Sequence, residues 1–539
     1  MSTPVSILHE DLLWRIFMEN AEFPEFFIRP PTTNTIKPLI TARHCSQVCR
    51  RWRHIFLSSP SIWAKMIDLG SLEQKEDDWR QEVMSRAGQA LLWVYGRITR
   101  PMLPFFLLIL RNHWHRVQAI EIHEVFIATM HRQWIWDCLK ESAPNLQKLY
   151  INLATDWHAT PAISLFDDNA PALREIRVIS YDFKFKPTAP WLRNLSRVTF
   201  SQAFSTQEIL DALNGMPRLV HFNTENLNLL PTSHPIPVPS SVVHLPHLKM
   251  IKLRGDLFAA AIVLRSITPS RDCCLSVRLS MQLGGSLDAM EYEQYETATL
   301  NHIIPYFRLH PPSTARVGFS YCGYFVHIED EAPTDGRRFR IAVACGLARS
   351  SAIPKELRRA NSFGNLQGLT IGLPLTDANS SQHPVMEFSF FPMDVFSSIT
   401  TLTTTDYMVE WFLEHAALEN QFLPDLTILR IHLYDPDPEF AKPPYQRFVK
   451  HRKDMDMHIS VLEIFFNSLH DVDFLEEHTE YWLSRARLLL GSRFGRVHVW
   501  KWAPRPTPFR DNRQARVATK MINHFFPISN ASLSVMVEP

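Results

Sequence analysis

The chain has 539 residues, 45% of them hydrophobic and 21% charged, the composition of a folded protein too long for one ordinary compact core. Lysine plus arginine (56) almost cancels aspartate plus glutamate (55), which excludes the broad positive field of a non-specific nucleic-acid binder. Seven cysteines are too few, and odd in number, for a disulfide framework, so a reducing cytoplasmic or nuclear setting is expected.

The start, MSTPVSILHE, lacks the basic-then-apolar pattern of a secretory signal. The sequons at Asn194, Asn379 and Asn530 then read as chance matches. Leu8, Leu12, Leu13, Ile16 and Phe17 recur at helical intervals on a helix that begins near His9 and Glu10. A proline-rich loop runs from about Phe23 to Pro38. From Thr41 a second helix is expected, with Cys45, Val48, Cys49, Trp52, Ile55 and Phe56 along one stripe and the arginines turned elsewhere. Ser58 to Pro60 stops it, and SIWAKMIDL follows.

The basic run around Trp52 allows three readings. It could contact phosphate, it could combine Cys45 and Cys49 with His44 or His54 around zinc, or it could dock another protein. The balanced net charge speaks against the first, and the lack of a second Cys/His pair at a finger-like distance speaks against the second. Two short helices and a tryptophan turn bury little surface alone, so apolar area is expected to remain for a partner.

ILHEDLLWRIF followed by CSQVCRRWRHIFLSSPSIWAKM resembles the F-box, the module that docks substrate receptors onto the adaptor subunit of cullin-RING ubiquitin ligases. The resemblance covers Val5 to Asp68, with His9 where most F-boxes have proline and a longer interhelical loop of the kind found in many fungal members. It implies adaptor contact through Leu8, Leu12, Leu13, Ile16, Phe17, Val48, Trp52 and Trp63, some of which must instead form the module's own small core.

Residues 69–112 read as a helical linker, and the apolar runs Met102–Leu110 and Leu257–Leu264 as buried helices, far short of the ~20 residues that cross a bilayer. Across 113–502, RVQAIEIHEV, NLQKLYINLA, ALREIRVISY, NLSRVTFSQA, RLVHFNTENL, HLKMIKLRGD, NLQGLTIGLP, SITTLTTTDY and DLTILRIHLY share one apolar pattern. Neighbours start roughly 22 to 33 residues apart, in or slightly above the leucine-rich-repeat range. Several follow a proline, at Pro144, Pro171, Pro217, Pro246 and Pro424. Each is short and alternating like a strand, with helical stretches such as TQEILDALNG between.

The expected fold class is therefore α/β: a small all-helical F-box module, then an irregular leucine-rich-repeat-like solenoid with a curved parallel sheet. Ala154, Tyr181, Ala203, Leu227 and Asp256 stand where the repeat's usual Asn or Cys would build a side-chain ladder. Periodicity fades over Leu279–Asn361, where a hairpin or irregular repeats are expected. It fades again over Asp435–Leu490, where FVKHRKDMDMHISVLEIFFNSL and EYWLSRARLLL read as long helices before a last strand, RVHVWKW. The tail, 503–539, is expected to be partly disordered.

No phosphate-binding GxxxxGK[ST] loop is present, GFSYCG has the wrong spacing for a nucleophile elbow, and His113, His115 and His123 would spread over two repeat edges. DMDMH lacks the Gly turn and distal Glu of a calcium loop. No active site, metal or cofactor is expected, nor contact with nucleic acid or membrane. The resemblance implies a substrate-recognition subunit of a cullin-RING ligase that binds the adaptor, through it a cullin, and a target protein. The alternative is a non-catalytic solenoid scaffold whose F-box-like segment engages no ligase. Strand positions facing away from the core nominate Glu121, His123, Tyr150, Asn152, Arg177, Lys252, Arg254, Arg430, His432, His498 and Trp500 for target binding. Of these, Tyr150 and Trp500 are the preferred aromatic anchors.

Overall fold

The computed structural model describes residues 8–21, 38–73, 77–124, 129–152, 164–179, 184–225, 227, 242–280, 289–311, 313–320, 323–329, 340–343, 366–372, 398–416, 423–433, 444–466, 496–502 and 532–535. The protein is mixed α/β with a parallel sheet. It divides into two compact units, residues 1–255 with 265–270 and residues 256–264 with 271–539.

The first unit opens with four helices: α1 (Glu10–Ala21), α2 (Pro38–Val48), α3 (Arg50–Leu57) and α4 (Pro60–Lys65). Glu10 and Asp11 in the first turn of α1 complement its positive end. The single helix expected from Thr41 is two. Cys49 is extended (φ −155°, ψ 169°) and its Sγ accepts from the Trp52 amide at 3.5 Å, capping α3 and dividing the expected apolar stripe. Arg53 Nε donates to the Ser46 carbonyl at 3.1 Å, satisfying an orphan acceptor at the end of α2. Arg51 reaches the Leu8 carbonyl at 2.6 Å. In the core of the bundle Phe17 meets Trp52 edge-on at 5.0 Å and Phe56 at 4.3 Å, and Trp63 Nε1 donates to the Phe56 carbonyl at 2.6 Å.

The stretch expected to be a helical linker is only partly helical. After β1 (Ile67–Asp68) and α5 (Asp78–Ala87), Leu92–Ile98 form strand β2. An unbroken apolar run such as LLWVY carries no period, and pairing with its neighbours decides its state. Trp79 of α5 lies edge-on to Trp63 at 6.2 Å, and Arg86 covers the Trp63 ring at 4.6 Å. Helix α6 (Leu103–His113) buries most of the MLPFFLLIL run as expected.

Next come β3 (Val117–Glu124), α7 (Thr129–Cys138), β4 (Lys148–Asn152), β5 (Glu175–Ile179), β6 (Arg197–Phe200), α8 (Thr206–Asn214), β7 (His221–Thr224), β8 (Val243–Leu245), β9 (Met250–Asp256) and, after a further helix, β10 (Ile267–Pro269). Strands β1 to β7 and then β9 lie side by side in chain order, each neighbouring pair parallel, while β8 pairs with β10. TQEILDALN is helical because Ser205 and Glu208 form a reciprocal capping box at its start.

Two local devices recur. Each X-Pro-x-Leu segment closes a β-turn before its strand: Leu146 to Ala143 at 3.4 Å, Leu173 to Ala170 and Leu219 to Met216 at 3.2 Å, and Leu248 to Leu245 at 3.1 Å. The prolines are exposed at the position their fixed φ suits, and the flanking Ala, Met and Leu residues are buried. Two successive amides then donate to one carbonyl of the preceding unit. Arg174 and Glu175 use the Gln147 carbonyl, Ser196 and Arg197 that of Arg174, Val220 and His221 that of Ser196, and Lys249 and Met250 that of Val220. These main-chain rungs lie at the strand starts, whereas the ladder positions come at or beyond the strand ends, two of them, Ala154 and Tyr181, outside the described residues. Leu227 bridges the backbone of Gly255, whose φ is +123° and where a Cβ would fall 2.3 Å from Leu227 backbone atoms, so only glycine fits. Phe166, Asp167 and Asp168 all take positive φ (61°, 48° and 54°), held by the buried Phe166 ring between Trp114 at 6.4 Å and Trp191 at 5.6 Å.

The second unit contains most of α9 (Leu257–Ser266), then β11 (Cys274–Ser280), α10 (Ala289–Leu309), β12 (Thr314–Ser320), β13 (Gly323–Glu329), β14 (Arg340–Val343), β15 (Gly368–Gly372), β16 (Thr401–Thr405), α11 (Asp406–Trp411), β17 (Ile428–Leu433), α12 (Pro444–Asp454), β18 (Val461–Phe466), β19 (Arg496–Trp502) and β20 (Ser532–Val535). Its sheet runs β13-β12-β15-β16-β17-β18-β19-β20, antiparallel at β12/β13 and β19/β20 and parallel between. The same turn recurs at Leu423–Leu426, and the same rungs at Gln367, Thr400 and Thr427. Asp256 caps α9 by accepting from the Phe258 and Ala259 amides at 2.8 and 3.1 Å. The hairpin expected between YCGYFVHIEDE and RRFRIAVACG forms instead between TARVGFS and GYFVHIE, and RIAV pairs in parallel with β11. VLEIFF, expected within a long helix, is strand β18, because its alternating Leu462 and Ile464 fill the sheet's buried side. Most of the loop from Phe23, the helix expected at Glu480–Leu490, the tail from Pro504 apart from β20, and Asn379 and Asn530 lie outside the described residues.

Candidate functional site

The structure divides the N-terminal candidates. Leu13, Phe17 and Trp63 are buried, and Trp52 is half-buried against Phe17. Leu8 is half-buried, its carbonyl taken by Arg51. Leu12 (48% exposed), Ile16 (46%) and Val48 (62%) point outward. Leu12 and Ile16 are one helical turn apart and share a side of α1. Trp14, Ile40 and Leu57 are also exposed and were missed, since periodicity marks an apolar residue without saying whether a neighbouring helix covers it. His9 Nδ1 accepts from the Asp11 amide at 3.4 Å and lies 3.2 Å from the Asp11 carboxylate, so its side chain takes one of the free amides at this helix start.

A second surface is the polar face of the first unit's sheet. Cross-strand register aligns Tyr95, Glu121, Tyr150, Arg177, Thr199, Asn223 and Lys252 in one row. The Arg177 guanidinium lies over the Tyr150 ring at 5.0 Å and pairs with Glu225 at 2.7 Å, and Arg254 pairs with Glu225 at 3.4 Å. Tyr150 was expected as an exposed anchor. It is instead 7% exposed, and burial pushes its phenol well above the ordinary tyrosine range. Glu225, which joins two nominated arginines, was not foreseen: it stands just past β7, and its partners come from strands β5 and β9. In an adjacent row Glu175 lies 3.6 Å from Lys148 and 3.8 Å from Arg197. Asn152 is half-buried, in register with His123, and Lys252 is exposed.

In the second unit Arg430 Nε contacts Glu463 Oε2 at 2.5 Å, and half-buried His432 is in register with Thr405 and Phe465. Trp500 and His498 lie on β19, opposite Phe465 and Glu463, and their side chains, like that of His123, are outside the described residues.

Among the described residues no group of three His, Cys, Asp or Glu side chains is placed to hold a metal ion. Cys45 is half-buried, and burial raises its thiol pKa, the opposite of an activated thiolate. His113 is shifted down, first by burial and then by Arg116 and His115, at the end of α6. No described helix is long and apolar enough to cross a membrane. No protein-family model and no curated protein matches the chain. What the geometry defines is a mixed α/β protein with parallel strands in chain order, preceded by a bundle of short helices that keeps apolar side chains outside its core.

Proposed function

We propose that the chain is a substrate-recognition subunit of a cullin-RING ubiquitin ligase. Its N-terminal helices act as an F-box that docks the adaptor, and its strand units stack as an irregular leucine-rich-repeat-like solenoid that holds a target. The observation that carries this reading is that Leu12, Ile16 and Val48 stay exposed beside a core already filled by Leu13, Phe17, Phe56 and Trp63. Apolar surface left outside a closed core is surface for a partner. The solenoid half is supported by parallel strands in chain order, of which β5, β6, β7, β9 and β15 to β18 each start from a carbonyl of the preceding unit, because one such unit cannot bury its own apolar side. The chain itself catalyses nothing in this reading; it raises the effective concentration of target lysines near the conjugating enzyme.

The test is a titration of the purified adaptor against the full chain. The wild type is expected to bind, and a Leu12→Asp/Val48→Asp variant is expected to lose binding while keeping its thermal midpoint. A well-folded wild type that does not bind would overturn the reading and leave a strand-built scaffold in its place.

A further inference from the structure

We propose that the polar face of the first unit's sheet docks an acidic, unphosphorylated segment of a partner protein, with Lys148 and Arg254 making the outermost contacts. This deepens the receptor reading by naming the chemistry of the target, and rests on that reading only in taking the bound protein to be a ligase target.

The charges on this face are layered. Glu175 lies between Lys148 (3.6 Å) and Arg197 (3.8 Å), and Glu225 between Arg177 (2.7 Å) and Arg254 (3.4 Å). In both groups the carboxylate is recessed and a cation stands above it: Glu175 is 29% exposed against 43% for Lys148, and Glu225 17% against 56% for Arg254. The recessed acids hold the long cationic side chains in place, so less side-chain freedom is lost when a ligand carboxylate arrives. Lys148 is on β4 and Arg254 on β9, with β5, β6 and β7 between them. Arg254 also lies four residues further along its strand than Met250, the register partner of Lys148, so four strand steps of ~4.8 Å and four residues of ~3.3 Å make a diagonal of ~23 Å, spanned by an extended segment of about seven residues.

Two features of the face select the occupant. Its Tyr150 ring is buried and covered by Arg177 at 5.0 Å, which removes the open stacking platform that a single-stranded nucleic acid uses. Arg177 and Arg254 both engage the same Glu225 and do not present a shared fork, the arrangement that suits phosphate.

The experiment is a fluorescence-anisotropy titration of the full chain with a short fluorescein-labelled oligoglutamate, at low and raised salt. Binding should weaken with salt. Arg254→Ala and Lys148→Ala should each weaken it about threefold, the range of an exposed ion pair. Lys140→Ala, an exposed cation away from the sheet, should leave it unchanged. Glu225→Gln keeps an amide oxygen to hold Arg177 and Arg254 and removes only the negative charge that competes with the ligand, so it should strengthen binding, whereas a merely structural glutamate would give no gain. No binding by the wild type, equal binding by all variants, or a preference for a single-stranded oligonucleotide or a phosphoserine peptide that is lost in the same variants would each overturn the proposal. An adaptor titration on the same preparations separates the two readings. Adaptor bound without oligoglutamate overturns only the docking face, and oligoglutamate bound without adaptor overturns only the receptor.

Discussion

The N-terminal helices and the sheet of the first unit use apolar residues in opposite ways. Helix α1 carries two apolar stripes, one buried through Leu13, Phe17 and Ala21, the other outward through Leu12 and Ile16. Strand β5 carries one, with Ile176 and Val178 buried and Glu175 and Arg177 on the other side. A strand between two paired neighbours has its register fixed and its apolar side fully used, whereas four short helices enclose too little volume to cover every apolar side chain they bear. One region thus offers a partner apolar area, and the other offers ordered charge.

That contrast can be broken most directly by truncation. Phe17→Ala in the bundle and Phe222→Ala in the sheet should each cost about 3–5 kcal/mol in urea unfolding, and Leu12→Ala should change stability by no more than about 0.5 kcal/mol. A Leu12→Ala loss as large as that of Phe17→Ala would mean that both stripes of α1 are core. Trp63→Phe sharpens the point, because it removes the indole donor to the Phe56 carbonyl and should cost about 1 kcal/mol, read from the same unfolding curves.

A pH series separates the bundle, whose His9, His44 and His54 are exposed, from the second unit, where His302 Nε2 meets the Leu264 carbonyl at 2.8 Å. Burial holds the His302 pKa below its ordinary 6.5, against the opposing effect of that hydrogen bond. Between the lowered folded value and 6.5 the unfolded chain binds more protons, so stability rises with pH through this window, is lost as pH falls through it, and loses nothing further below the folded value. The thermal midpoint should therefore drop on acidification from neutral pH, and His302→Gln should flatten that drop. The smallest effect is expected at Asp167, whose φ of 48° suits glycine: Asp167→Gly should be neutral or raise stability by up to about 1 kcal/mol in a thermal melt.

Much of the strand layout was legible. All nine repeat segments, from RVQAIEIHEV to DLTILRIHLY, carry a strand, and the prolines before five of them close turns, because alternation and X-Pro-x-Leu are local signals. Strand β2 was missed as an unbroken apolar run and β18 as the continuation of a basic helix, and β1, β8, β10, β11, β12 and β20 fall outside the repeat pattern that marked the others. The break at Cys49 escaped because its cap is a weak thiol acceptor rather than a serine or aspartate. The division of the bundle candidates into core and surface depends on which helix covers which stripe, and Glu225 acquires its role from Arg177, distant in sequence. Neither is encoded in local periodicity.

The main-chain rungs between successive units have a consequence for inheritance. The carbonyls that receive them belong to Gln147, Arg174, Ser196, Val220, Ser313, Gln367, Thr400 and Thr427, and at Ser196, Thr400 and Thr427 alone of these a hydroxyl adds its own bond to the preceding carbonyl of the series. The rung itself is main chain, so any residue but proline can hold it, and descendants of such a chain can lose most recognisable letters of the repeat while still stacking their strands in the same order. Kinship in this kind of molecule is better sought in the spacing of turns and the pattern of buried leucines than in any signature residue.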